Sequence, residues 1–185
     1  MTVAALYIDV KRGPYAHMLG VDAWGLERDA KLYSGPHPVV AHPPCGPWGQ
    51  LAHFCTRQDP ECATRAVEQI REHGGILEHP AGSRLWSELR LPRPGEIPRA
   101  GLWTLEVDQC RWGHEARKRT WLLMSGIDPS DVGPLPPWRA PSRSIDTSKA
   151  QKRRGVYLPH LPKSRRHLTP PAFAAWLVRL ARAAR

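Results

Sequence analysis

The segment from Pro38 to Pro80 constrains the fold more than any other part of this 185-residue chain. Pro38-Val39-Val40-Ala41 predicts a short buried strand, because two β-branched residues stand together and no charge interrupts them. His42-Pro43-Pro44-Cys45-Gly46-Pro47-Trp48 comes next. Consecutive prolines have no N–H to give a ladder and fix φ at about −65°, so the strand must stop there. From Pro60 to His73 the period becomes helical. Ala63, Ala66, Val67 and Ile70 fall on one face, with Arg65, Glu68, Arg71 and Glu72 pointing away. Gly74-Gly75 supplies a left-handed stop. Ile76-Leu77-Glu78 then reads as another short strand, broken by Pro80. Strand, helix and strand at this spacing make a βαβ unit, and hence a parallel sheet.

The other elements fit that frame. Residues 3–9 predict a first strand ending in Asp9, followed by a loop over 10–20 with a turn or two of helix, and residues 21–26 predict a second strand. Residues 87–101 read as a proline-rich surface loop, and 103–107 and 119–124 as further strands. Residues 128–168 hold many prolines and the cations Lys149, Lys152, Arg153, Arg154, Lys163, Arg165 and Arg166, which predicts an extended or partly mobile basic arm. At the end, Thr169 is placed to cap a helix with Pro170 in its first turn, its apolar face formed by Phe173, Trp176, Leu177, Leu180 and Ala184. The expected fold class is α/β, a Rossmann-like, mostly parallel sheet flanked by helices, in a single domain over 1–185.

Composition narrows the partners. Lys and Arg number 27 against 17 Asp and Glu, a formal charge of +10, which favours a polyanion such as nucleic acid. A generically basic surface is the blander reading. No apolar run approaches the roughly 20 residues of a membrane span, so no membrane partner is expected. Met1 leads straight into a strand, without the pattern of a signal peptide, so the expected location is cytoplasmic. Cys45, Cys55, Cys62 and Cys110 are then thiols or metal ligands rather than disulfides.

Three segments place polar groups just beyond a predicted strand: His42-Pro43-Pro44-Cys45; Glu78-His79-Pro80-Ala81-Gly82; and Gln109-Cys110-Arg111-Trp112-Gly113-His114 running into Arg117-Lys118-Arg119-Thr120. In order and spacing these resemble the DNA cytosine-5 methyltransferase family, in a reduced form of the kind met in phage-like genomes. The resemblance implies a minimal methyltransferase core acting on DNA in a phage-infected or prophage-bearing bacterium. Cys45 matches the thiolate nucleophile and Glu78 the carboxylate, with His79 in the usual asparagine place. Arg117, Lys118 and Arg119 fall in the basic segment that supports the thiolate loop and contacts nucleic acid. Thr169-Pro170-Pro171-Ala172-Phe173-Ala174 resembles the family's closing helix.

That chemistry accounts for the residue types. A pyrimidine C5 is a poor nucleophile until something adds to C6, and a thiolate beside basic groups does so well. Glu78 is suited to hydrogen-bond the N3 edge and stabilise the ring as charge develops. The base has to leave the duplex stack to reach such a pocket. His42 or His79 is a candidate proton carrier near neutral pH; His17 and His37 also lie near the site loops.

One family feature is missing. Enzymes of this type that use S-adenosylmethionine carry a Phe-x-Gly-x-Gly loop after the first strand, because the cofactor needs close backbone approach. Here Asp9-Val10-Lys11-Arg12-Gly13-Pro14-Tyr15 offers one glycine and two cations, which suits a phosphate better than a sulfonium. The chain is also short for a separate target-recognition domain. The expectation is therefore a DNA-modifying transferase that needs no cofactor and acts on a thymine or uracil whose 5-methyl group carries a leaving group such as pyrophosphate. Cys45 would add at C6, and a small amine or amino acid would replace the leaving group. Lys11 and Arg12, or Arg117 to Arg119, would hold the departing phosphates. Two alternatives stand beside it: an S-adenosylmethionine-dependent DNA cytosine-5 methyltransferase, and a non-catalytic DNA-binding protein with a degenerate methyltransferase fold.

Other residues admit two readings each. Cys55, Cys62, Cys110 and His114, with His53, are possible zinc ligands, but Cys-x6-Cys and Cys-x3-His are not the spacings of common zinc modules, and no metal is expected. Trp48, Trp86 and Trp112 lie near the site segments, as walls of a base pocket or as packing. Asp9 orients an amine or a ribose, or caps the turn that follows it. Arg165 and Arg166 meet DNA phosphates or form a solvated tail.

The charge leads to a first prediction. Affinity for duplex DNA, read by fluorescence anisotropy, should fall by at least about tenfold between 50 and 200 mM salt as counterions are released. Salt-independent binding would remove nucleic acid as the partner.

Overall fold

A computed structural model describes residues 1–49, 52, 55 and 59–185. Its centre is a six-stranded sheet of β1 (Val3–Leu6), β2 (Val21–Trp24), β3 (Val39–Ala41), β4 (Gly75–Pro80), β5 (Leu102–Asp108) and β6 (Arg119–Ser125). Their spatial order is β2-β1-β3-β4-β6-β5. The first four strands run parallel. β6 is antiparallel to both β4 and β5. The fold is α/β, with a Rossmann-like sheet that is parallel on one side and closed by an antiparallel pair on the other.

Side-chain alternation along the strands builds two cores. Ala4, Leu6, Val39, Ala41, Leu77 and Leu123 face one layer, where they pack on Ala63, Ala66, Val67 and Ile70 of α1 (Glu61–His73). Val3, Ala5, Val40, Ile76, Leu122 and Met124 face the other, against Phe173, Trp176, Leu177 and Leu180 of the terminal helix. That makes three layers, helix on sheet on helix.

Gly74 and Gly75 fix the connection between α1 and β4. Gly74 ends the helix at φ 71°. Gly75 has φ 125°, and a Cβ there would lie 2.0 Å from the Val39 carbonyl oxygen, so β4 can enter beside β3 only with glycine at this point.

Boundaries shift where local geometry intervenes. β1 stops at Leu6, short of Asp9, because Tyr7 takes φ 59°. β2 stops at Trp24, where Gly25 comes so close to the Ile8 carbonyl that a Cβ would sit 2.7 Å from it. β4 runs on to Pro80, which pairs with Thr120 at the strand's end. A short helix, α2 (Leu85–Glu88), precedes the irregular stretch to residue 101.

The 128–168 segment differs from the expected free arm. It carries α3 (Ser148–Arg154) and α4 (Lys163–Arg166) and folds back on the chain. Ala116 bridges to Arg143, and Ser144 bridges to His160. Arg143 and Arg165 both reach the Glu115 carboxylate, at 3.4 and 2.5 Å, and Leu161 is buried. The final helix, α5 (Pro171–Ala181), begins one residue later than expected, with Pro170 rather than Thr169 at its cap and no side-chain cap bond. Among the described residues no helix is long and apolar enough to cross a membrane.

Trp112 belongs to this core. It is buried, 4.9 Å from the Phe173 ring and 4.7 Å from Trp176, centroid to centroid. Trp112→Ala should therefore lower the unfolding free energy in a urea titration by about 3–5 kcal/mol. An unchanged midpoint would take Trp112 out of the core.

Candidate active site

The strand order reverses between β1 and β3: from β1 the chain moves outward to β2, then crosses back to β3 on the other side. In open α/β sheets, ligands sit at the carboxyl ends of the strands where this happens, because successive loops diverge and leave a crevice. The loops leaving β1 and β3 here carry Asp9 and His42 to Cys45, and the last residues of β4 carry the Glu78-His79 pair.

His42 follows β3 directly, its N–H donating to the Leu6 carbonyl at 3.0 Å. Its ring lies between two partners: Glu78 Oε2 is 3.1 Å from Nδ1, and the Tyr15 hydroxyl is 2.6 Å from Nε2. Glu78 accepts through Oε2, so Nδ1 carries the hydrogen. Burial holds the Tyr15 hydroxyl proton well above its ordinary range, and it donates to Nε2. Glu78 Oε1 accepts from Gln109 Nε2 at 2.9 Å, and Thr120 Oγ1 stands 3.5 Å away. Gln109 Nε2 is also 2.9 Å from Thr120 Oγ1. A buried chain thus runs from Tyr15 through His42 and Glu78 to Gln109 and Thr120.

Burial alone would push Glu78 up. The Lys118 charge and the His42 hydrogen bond outweigh it and hold the carboxyl at about 2, so Glu78 is ionised. Cys45 is exposed at the head of the 3-10 turn Gly46–Trp48, its carbonyl accepting from the Trp48 N–H at 3.1 Å. Partial burial and the Glu78 charge push its thiol up, and Lys118 pulls less strongly the other way. The resting residue is a thiol, not the ready thiolate that flanking basic residues predict. Cys45, Glu78 and Lys118 form one electrostatic group.

His79 is placed differently. Neighbouring strand residues face opposite sides, so His79 points with Leu77 into the α1 layer, away from Glu78. It is fully buried, with Nδ1 2.8 Å from Ser83 Oγ and the Pro44 backbone beside the ring. Burial keeps it neutral, bringing its pKa down to about 4. Its role is to brace the 80–84 loop. Arg84 of that loop in turn donates its N–H to the Trp48 carbonyl at 3.0 Å and its guanidinium to Pro47 at 3.2 Å. Trp48 packs against the α1-side core. Trp86 is buried too, its indole N–H given to Thr104.

The cations divide. Arg117 pairs with Asp108 at 2.9 Å and Arg119 with Glu106 at 2.7 Å, both across the β5–β6 pair. Lys118, between them, has φ 36° and gives its ammonium to the Leu168 carbonyl at 3.3 Å. Asp9 Oδ1 accepts the N–H groups of Lys11 and Arg12, at 2.9 and 3.1 Å, and those bonds hold its carboxyl below its usual range. Asp9 therefore shapes its own turn. Lys11 pairs with Glu27 at 3.0 Å, Arg165 with Glu115, and Arg166 donates to the Leu161 carbonyl. Among the described residues no group of three or more His, Cys, Asp and Glu side chains converges as a metal site; His53 lies outside them.

Tyr15, Gln109 and Thr120 are the site residues that sequence reasoning did not single out. Gln109 and Thr120 stand at the two ends of the third polar segment. Tyr15 follows Pro14 in a 3-10 turn, and that proline is its only local signal. Comparison with protein-family models, characterised proteins and solved structures finds no match to this chain.

Two buried groups with strongly lowered pKa values contribute to the response to acid. Glu78, at about 2 when folded against 4.5 free, adds stability that is present above pH 4.5 and lost as pH falls toward 2. His79, at about 4 folded against 6.5 free, leaves the unfolded chain the better proton binder, so stability is lost as pH falls from 6.5 to 4. In His79→Asn the decline in urea midpoint between pH 6.5 and 4 should shrink, while that below 4.5 remains. Superimposable profiles for the two proteins would contradict the assignment.

Proposed function

We propose that this chain is a DNA-modifying transferase acting at C5 of a uracil-type base through Cys45, as a reduced relative of the DNA cytosine-5 methyltransferases. The observation that carries the choice of base is the ionised Glu78. A uracil or thymine ring presents an N–H at N3, which a carboxylate accepts. Cytosine has no proton at N3 and would need a protonated acid, whereas both Glu78 oxygens act as acceptors, Oε2 from His42 and Oε1 from Gln109. The support for Cys45 as nucleophile is its exposure at the strand-order reversal, in the electrostatic range of Glu78 and Lys118.

The chemistry balances without a redox partner. The Cys45 thiol gives up its proton and the thiolate adds to C6 of a 5-pyrophosphorylmethyl-uracil, moving the ring electrons onto C5 and O4. Those electrons expel pyrophosphate and leave an exocyclic methylene. A small amine adds to the methylene and loses a proton, and the ring electrons then expel the Cys45 thiolate, restoring the C5–C6 double bond. Lys118 is the cation available to the developing negative charge. The His42 ring, held between Tyr15 and Glu78, is the group suited to carry a proton.

The loop after β1 gives S-adenosylmethionine no comparable support. Gly13 is required by its own turn, since a Cβ there would lie 2.5 Å from the Asp9 carbonyl oxygen, and Lys11 and Arg12 flank it. No step is assigned to that cofactor. The raised Cys45 thiol favours as second reading a non-catalytic DNA-binding protein.

Trapping separates these readings. With oligonucleotides carrying 5-fluorouracil, intact-protein mass spectrometry should show a covalent adduct, absent in Cys45→Ser, which keeps its DNA affinity. An adduct only with 5-fluorocytosine, together with methyl transfer from labelled S-adenosylmethionine, would overturn the choice of base. No adduct with either base would leave the binding reading.

A further inference from the structure

Of the eight tryptophans, Trp138 alone is exposed; the other seven are buried or half-buried. It stands in the Pro136-Pro137-Trp138-Arg139 run at the start of the basic segment, with 48% of its surface accessible. Two guanidinium groups flank it, those of Arg111 and Arg117, each 5.7 Å from the ring centroid. Trp24 shows the contrast: there Arg28 lies 3.7 Å from the centroid, close enough to cover the ring. Around Trp138 the cations stand off and leave the indole accessible.

Both cations keep donors to spare. Arg111 gives one N–H to the Pro136 carbonyl, at 2.6 Å, which ties the tryptophan's own loop to the turn at Gln109–Trp112. Arg117 gives Nε–H to Asp108. A guanidinium has five N–H donors, so each can still meet a phosphate oxygen. A rigid, half-exposed aromatic face between two cations is what an unpaired base with its phosphates needs. The base stacks, and the cations meet the backbone. Proline on both sides of the loop keeps the ring in place at small entropic cost.

We propose that Trp138, Arg111 and Arg117 form a stacking platform for an unpaired nucleobase of a bound nucleic-acid strand, separate from the Cys45 site. The platform belongs to the segment that serves that site, since Gln109 holds Glu78 and Lys118 acts on Cys45 and Glu78. A strand seated on Trp138 is thus held by the turn that positions the carboxylate. The inference rests on the reading above only in that the partner is nucleic acid; it needs no reaction at Cys45.

The test uses the full chain and fluorescein-labelled single-stranded oligonucleotides, some with bases throughout and some with a central run of abasic sites, at one fixed salt concentration. Trp138→Ala should weaken binding of the intact strand by roughly 5- to 150-fold, with Trp138→Phe close to the wild type. The abasic strand should bind the wild type more weakly, and there Trp138→Ala should add little further loss. Equal affinities of wild type and Trp138→Ala for the intact strand would overturn the platform. So would an equal loss on both strands, or no binding of single strands at all. An unchanged circular-dichroism melt of each variant separates these results from misfolding. Adduct formation at Cys45 reports on the reaction independently, so the two proposals fail separately.

Discussion

A negative charge buried at the seam of the sheet is the constraint on which the rest depends. β4 is parallel to β3 on one side and antiparallel to β6 on the other, and it carries Glu78 at that junction. An ionised carboxylate taken out of water is tolerated only when every oxygen is answered. The answer comes from both halves of the sheet: His42 from the end of β3, and Gln109 and Thr120 from the antiparallel side. Tyr15 completes the arrangement by holding the far nitrogen of His42. Removing any partner would leave part of the charge unmet, so the geometry of three loops and of β6 is tied to one side chain.

Two of the five non-glycine residues with positive φ among the described residues lie near the same place. Tyr7, just beyond β1, and Lys118, just before β6, both have positive φ without being glycine, at a cost of about 1–3 kcal/mol each. Surrounding bonds hold both. The Tyr7 hydroxyl donates to Gln69 of α1 at 2.9 Å, and Gln69 in turn ties down the Ala30 and Tyr33 carbonyls. Lys118 is fixed by the Leu168 carbonyl. Each strained residue turns the chain sharply at the mouth of the crevice.

Much of the fold was legible in the sequence because it follows from periodicity. The α1 face, the Gly74-Gly75 stop and the burial of β3 were all written in residue order. The direction of β6 was not. Trp121 to Met124 is a continuous apolar run, which reads alike in a parallel or an antiparallel strand, and only the register against β4 decides. The register of β6 against β5, with Asp108 opposite Arg119 and Glu106 opposite Trp121, brings Arg119 diagonally to Glu106 and Arg117 to Asp108, pairs 13 and 9 residues apart that no local pattern announces. At the site, Cys45 and Glu78 stand out by position after a strand. The Tyr15–His42 bond spans 27 residues and needs the topology first. His79 illustrates the opposite error: adjacent to Glu78 in sequence, it is turned by the strand's pleat to the other layer.

The way the 140–168 segment is fastened has a further consequence. It adds few residues to the core, chiefly Ser144, Gln151 and Leu161; one carboxylate, Glu115, holds both Arg143 and Arg165, beside backbone bonds from Ser142 and Arg143 to the Glu115 carbonyl and the Lys118 bond to Leu168. A section with so little buried apolar surface opens at far lower free energy than the sheet beneath it. Local opening there leaves the six strands folded, so the two parts of the chain lose structure at different free energies.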